Sequence, residues 1–247
     1  MHPVNFFGAF MTALIDQRAT RESIAALKRL GFNIITMPPS HFLQTGVASH
    51  TDMLIFIGFG RLFCHASYYE ENKALIDDIA RIGNLNISLS DEDWGQDYPK
   101  DVLFNACLVG KKLICNEKTV STSILFAAQK SECEIINVPQ GYTKCSICVV
   151  SDNAIITADK PIADICLKIG MDVLLISEGH ISLPPYSFGF IGGTSGLYKN
   201  DLYFCGSLEA HPDAEKIKEF CKKHGKTAFP LTNCELQDVG SIFFIGE

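Results

Sequence analysis

Basic charge, tryptophan and long apolar runs are what this chain has little of. Its 21 Lys and Arg stand against 28 Asp and Glu, a formal net charge of -7. The densest basic stretches, Arg18 to Arg29 and Lys216 to Lys226, have the spacing of solvated helix faces. Such a surface repels a polyphosphate, so nucleic acid is excluded as an expected partner. No apolar run approaches the roughly 20 residues that span a bilayer. The opening MHPVNFFGAFMTALIDQ has no basic leader before Asp16. These absences predict a cytoplasmic protein without a membrane partner. Missing too is a glycine fingerprint after a first strand, and the Cys145-Ser-Ile-Cys148 motif has neither a second CxxC nor a nearby histidine. Neither a cofactor nor a metal is expected.

Cysteine, by contrast, is abundant: ten residues, set singly into apolar runs such as LFNACLVG, IADICLKIG and DLYFCGS. Thiols so placed are expected to be free, buried and reduced. At 47% hydrophobic and 20% charged, the 247 residues can bury a large core, and 1–247 is expected to form a single domain.

The organising feature is a repeat. CSICVVSDNAIITADKPIADICLKIGMDVLLIS, Cys145 to Ser177, reads as a β-branched run, an Asp-Asn turn, a second run, a helix from about Lys160 to Gly170 and a third run. The preceding block has the same order: DVLFNACLVG, KKLICN, a helix from about Thr119 to Lys130, and CEIINVP. So has the one before it: MLIFIG, RLFCHA, a helix from about Glu70 to Ile82, and LNISL. A fourth copy is GGTSGLYKN, DLYFCGS, a helix from about Pro212 to His224, and KTAFPL. The fifth is split: GSIFFIGE at the C-terminus is an orphan first strand, while AFMTALIDQ, a helix from about Ala19 to Leu30, and FNIITMP at the N-terminus supply the rest. A repeat divided between the termini is what closing a ring requires, because pairing first and last strands removes free edges. The tight hairpins at every step argue against an open parallel sheet.

Five strand-strand-helix-strand units closed by the termini resemble the pentein, or guanidino-group-modifying, fold, an α/β five-bladed β/α-propeller with pseudo-fivefold repeats and termini sharing one blade. The wording QGYTKCSICVVSDNAIITADK, GHISLPPYSFGFIGG and CGSLEAHPD looks like a bacterial branch of it. Members include arginine and agmatine deiminases, dimethylarginine hydrolases, amidinotransferases and succinylarginine dihydrolases, and a noncatalytic ribosome anti-association factor. The resemblance implies a thiolate that attacks a guanidinium carbon, a histidine that carries protons, and carboxylates that clamp a planar cation. This sequence departs from that pattern at three places. Gly240 of DVGSIFFI stands where the family has its cysteine, Thr143 or Lys144 where it has its histidine, and Gly192-Gly193-Thr194 replaces Gly-Gly-Asp.

If the first strands all begin at one end of the channel, that end gathers Asp52, Asn105, Lys144, Cys145, Thr194, Ser195 and Asp238. Cys145, His180 and Asp238 are the expected catalytic residues, with Lys144 beside Cys145 favouring its thiolate. His180 is included because it follows Gly179 at a crossing between blades; a corner histidine capping carbonyls is the plainer reading. Asp52, Asn105, Lys144, Gly192, Gly193, Thr194 and Ser195 are expected to bind ligand, with the glycine-rich run offering N–H groups and hydroxyls to an anion. The expected partner is a small polar molecule, guanidino- or carboxylate-bearing. Two function classes follow: a binding member lacking the usual Cys, His and Asp, or a diverged amidinotransferase-, deiminase- or dihydrolase-type enzyme acting on a guanidino or amide compound with a relocated nucleophile.

Overall fold

Five small sheets of three strands each are built from one recurring unit, and the ends of the chain share a unit. The computed structural model describes residues 11 to 246; Ala9 and Phe10 of the expected first run, and Glu247, lie outside them. The N-terminal part of the split unit is β1 (Thr12–Asp16), α1 (Arg21–Arg29) and β2 (Asn33–Met37). Next come α2 (Thr51–Leu54), β3 (Ile55–Gly58), β4 (Arg61–His65), α3 (Ala66–Glu71), α4 (Lys73–Ile82) and β5 (Asn86–Ser90). The third unit holds β6 (Cys107–Val109), β7 (Lys112–Cys115), α5 (Thr122–Lys130) and β8 (Glu134–Asn137). In the fourth are α6 (Thr143–Ser146), β9 (Cys148–Ser151), β10 (Ala154–Thr157), α7 (Lys160–Lys168) and β11 (Asp172–Leu175). The fifth has β12 (Ser195–Tyr198), β13 (Asp201–Phe204), α8 (Ala214–Lys223) and β14 (Thr227–Pro230), and β15 (Phe243–Ile245) returns to the first.

In every unit the first strand runs antiparallel to the second and the third parallel to it across a helix. The hairpins follow from their turns: Phe59 and Gly60, both at positive φ, join Gly58 to Arg61, the conformation whose twist matches two paired strands. Helices begin where a side chain takes up free N–H groups, at Thr20, Ser121 and Asp159. The expected helix over Glu70 to Ile82 is two, divided at Asn72. Closure is direct, with Thr12, Ala13 and Leu14 opposite Ile245, Phe244 and Phe243.

Apolar residues fill the space between each sheet and its helix and between neighbouring sheets. Ile162 and Cys166 of α7, for example, pack with Ile155, Ile147 and Cys107. All ten cysteines are free and eight are buried, which burial of small apolar side chains explains. No helix among the described residues is long and apolar enough to cross a membrane.

One departure from the sequence reading positions the site. The run CSICVVS is expected to be strand from Cys145, but Thr143–Ser146 is a helical turn and β9 begins at Cys148. The cause is Asn105, whose side-chain oxygen accepts the N–H groups of Lys144 at 2.7 Å and of Cys145 at 3.2 Å. Cys145 and Cys148 therefore sit on different elements.

Candidate functional site

Each first strand is preceded by a short turn, and the turns of different blades meet at one end of the ring. Asp52 lies in α2, Asn105 just before β6, and Lys144 and Cys145 in α6. A 3₁₀ turn, Gly192–Thr194, precedes β12, and Asp238 to Ser241 precede β15. Four-residue helices have no stability of their own. They are held from other blades: the Asp52 N–H donates to the Gly240 carbonyl, and Asn105 Nδ2 donates to the Asp52 carbonyl, both at 3.1 Å.

Around Cys145 the contacts are short. Its thiol donates to Asp52 Oδ1 at 3.2 Å, and Asn105 Nδ2 donates to Sγ at 3.1 Å. Asp52 Oδ2 is 2.7 Å from Ser241 Oγ, which also accepts from Lys144 Nζ at 2.7 Å and lies 3.0 Å from the Gly192 carbonyl. Asp238 accepts the N–H groups of Phe190 and Gly240. His50 is fully buried, and neither ring nitrogen completes a hydrogen bond. Nε2 faces the carboxylates of Asp16 at 3.7 Å and Asp238 at 3.9 Å. Asp16 in turn is gripped by Arg18.

Burial dominates the acid–base state of this cluster. It lowers His50 to about 3, so the ring is neutral and its approaches to Asp16 and Asp238 are not ion pairs. Burial, with Asp52 nearby, raises Asp238 to about 7, and burial also raises Asp52. The Cys145 thiol is pushed well up by burial and then by the Asp52 and Asp238 carboxylates. The expectation that Lys144 favours a thiolate is thereby corrected: the lysine side chain turns away to Ser241.

A cavity of about 200 Å³ opens over this floor. Its floor is Cys145, His50 and Asp238, and Tyr142, Tyr186, Phe188 and Phe190 wall it. A second cavity of about 210 Å³ adjoins it at Leu183 and Asp238 and presents Arg18 and Asp16.

His180 is not in this constellation. It is solvent-exposed at a φ of 61, with its ring 5.6 Å from that of His211. Thr194 and Ser195 are buried, their hydroxyls donating to the Ile191 and Gly192 carbonyls; neither lines the cavity over Cys145, and Ser195 borders a cavity on the other side of the turns. Gly192 and Gly193 serve close packing. A Cβ on Gly193 would lie 1.9 Å from Asp238 Oδ1, and one on Gly192 would lie 2.4 Å from the Lys144 carbonyl oxygen.

Two central residues escape the sequence reading. His50 has no neighbour in sequence that reveals its role. Ser241 stands one residue after the Gly240 matched to the family's cysteine; a glycine–serine turn at the start of a last strand, both residues at positive φ, is the only signal. As for a metal, donor atoms of His50, Asp52 and Cys145 lie within 4.8 Å of one another, a nitrogen, oxygen and sulfur set of the kind zinc accepts. The expectation of no metal rests on Cys145 with Cys148 and does not bear on this trio.

The family model described as a family of unknown function (DUF6873) matches residues 14–243. The chain belongs to that family. No curated protein matches its sequence. Among solved structures, DDAH from Pseudomonas aeruginosa complexed with citrulline is similar at a TM-score of 0.57 and 9% identity, covering 91% of this chain and 92% of that one. The C. jejuni agmatine deiminase is similar at 0.53 and 9%, covering 90% and 87%. SxtG, an amidinotransferase from Microseira wollei in the saxitoxin biosynthetic pathway, is similar at 0.53 and 10%, covering 88% and 78%. Likeness at such identities establishes the architecture, and the fold is the pentein fold.

Proposed function

We propose that this protein is a thiol-dependent enzyme acting on a small guanidino or amidino compound, with Cys145 as a nucleophile moved from the last blade to the fourth. The observation that carries this reading is the cluster itself: thiol, carboxylate and an unpartnered imidazole, all buried within 4.8 Å of one another beneath an aromatic-walled cavity. A noncatalytic binding site has no need of a thiol aimed at a carboxylate.

A planar cation fits this cavity on two counts. Aromatic faces and carboxylates both attract it, and its charge would bring the raised pKa values of Asp52, Asp238 and Cys145 down together. Arg18 in the adjoining cavity gives a carboxylate at the far end of the substrate a place to pair. With the cation bound, Asp52 Oδ1 takes the Cys145 proton and the thiolate attacks the central carbon. The C–N bond then breaks as the leaving amine takes a proton from Asp52, leaving a carbon–sulfur adduct. Water adds to that carbon, giving its proton to Asp52 or His50, and the C–S bond breaks to return the thiol. His50, neutral and without a fixed partner, can accept a proton in that second half.

The test compares 2-chloroacetamidine, a cationic thiol reagent, with neutral iodoacetamide, reading the modified residue by peptide mass mapping. Preferential modification of Cys145 by the cation, slowed by arginine or agmatine, supports the reading. Equal, slow labelling of the buried cysteines by both reagents overturns it.

A further inference from the structure

On the other side of the ring of turns, following the first strands away from Cys145, lies a cavity of about 380 Å³. It is the axial channel of the propeller, for its wall takes residues from all five first strands: Ile57, Leu108, Val149, Leu197 and Phe243. Each of these is an edge strand, so its free main-chain N–H and C=O groups face the same space. The single charged side chain in the wall is Lys144. Its ammonium has one side-chain hydrogen bond, to Ser241, and no carboxylate within salt-bridge distance among the described residues. Phe243 presents its ring 6.0 Å away.

The geometry points to a second ligand site in this channel, for a small monocarboxylate with an apolar body, its carboxylate on Lys144 and its body against Leu108, Val149 and Leu197. A volume near 380 Å³ is in the range of small-molecule pockets. Sign and chemistry both select the ligand. A lone ammonium between apolar walls attracts an anion more strongly than one in water, and no acidic side chain in the wall competes for it. A phosphate or a di-acid would bring charge that this single cation cannot match. The site is independent of the chemistry proposed for Cys145, which faces the opposite cavity.

Benzoate is the probe, titrated calorimetrically into the full chain, with circular dichroism confirming that each variant folds. One benzoate per chain is expected, weakened about tenfold or more by Lys144→Gln, which removes a charge-assisted hydrogen bond. The same loss is expected from Leu197→Trp, which fills the channel from β12 without touching the ammonium. Arg18→Gln, the cation of the opposite face, is expected to leave the affinity within about twofold. Absence of benzoate binding, binding that survives both channel variants, or binding lost with Arg18→Gln instead overturns the assignment.

Discussion

Ser177 to Gly196 and the turns that open the first strands make an instructive pair. The segment concentrates a histidine, two prolines, three aromatics and a glycine–hydroxyl run within 20 residues. Yet it serves the site through main chain and packing: Phe190 N–H holds Asp238, the Gly192 carbonyl lies 3.0 Å from Ser241 Oγ, and its aromatics wall the cavity. Its one histidine faces solvent. The turns of the other four blades contribute one or two residues each, and these form the polar floor: Asp52 and Ser241, 189 positions apart, are 2.7 Å apart in space. Reactive residue types crowded along a chain are thus a poorer guide than residues occupying the same place in successive repeats.

The sharpest way to break this comparison is catalytic. With the guanidino substrate identified by the labelling experiment, Cys145→Ala is expected to lower turnover about a thousandfold or more, since a nucleophile has no substitute in the cavity. His180→Ala is expected to leave turnover within about twofold, because the ring lies outside the cavity that Cys145 floors. Steady-state kinetics on both variants decide it; a large loss in His180→Ala restores the segment to the chemistry.

The propeller was legible because each blade carries its own local signals: β-branched runs of strand length, tight turns, capped helices, and one orphan strand that only a closed ring explains. Asp52, Asn105, Cys145 and Asp238 could be gathered from the assumption that equivalent turns meet. His50 could not, since it packs where Gly240, 190 positions later, has no side chain; a Cβ there would lie 2.2 Å from the His50 Cβ. Nor could the direction of Lys144, because adjacency in sequence says nothing of orientation on a helical turn: Lys144 reaches Ser241 while Cys145 meets Asp52. Acidity was legible least of all, since desolvation depends on everything packed around a group.

Within the segment itself, glycines separate packing from chain freedom. Gly193→Ala is expected to cost about 3 kcal/mol, because the new methyl meets the Asp238 carboxylate, which cannot retreat from its two N–H donors. Gly179→Ala, at a φ of 87 with nothing within 4 Å, is expected to cost about 1 kcal/mol from backbone strain alone. Among the turns, Asn105→Ala is expected to cost about 2 kcal/mol, stranding the N–H groups of Lys144 and Cys145 and loosening α6. Urea midpoints measure all three. A Gly193→Ala variant no weaker than Gly179→Ala would deny the segment its packing role.

The last effect lies in how stability changes with pH. Asp238 is raised from 3.8 to about 7, so between those values the folded chain keeps a proton that the unfolded chain has released. Its contribution to stability therefore falls as the pH rises through that window and is constant above it. His50 acts oppositely. Lowered from 6.5 to about 3, it stays neutral in the fold while the unfolded ring takes a proton, so its contribution rises with pH from about 3 to 6.5. The two slopes oppose each other where the windows overlap. Asp238→Asn removes the first, at the fixed cost of an amide nitrogen facing one of the two N–H groups that Asp238 now accepts. The stability of Asp238→Asn relative to the parent chain is accordingly expected to climb from pH 4 to pH 7, by no more than ~1.4 kcal/mol per unit, and then to level off. Urea denaturation of both proteins at unit pH steps gives that difference directly. A difference that stays constant across the range would mean that the Asp238 carboxylate is charged in the fold throughout, and that the floor beneath the cavity is more polar than its burial implies.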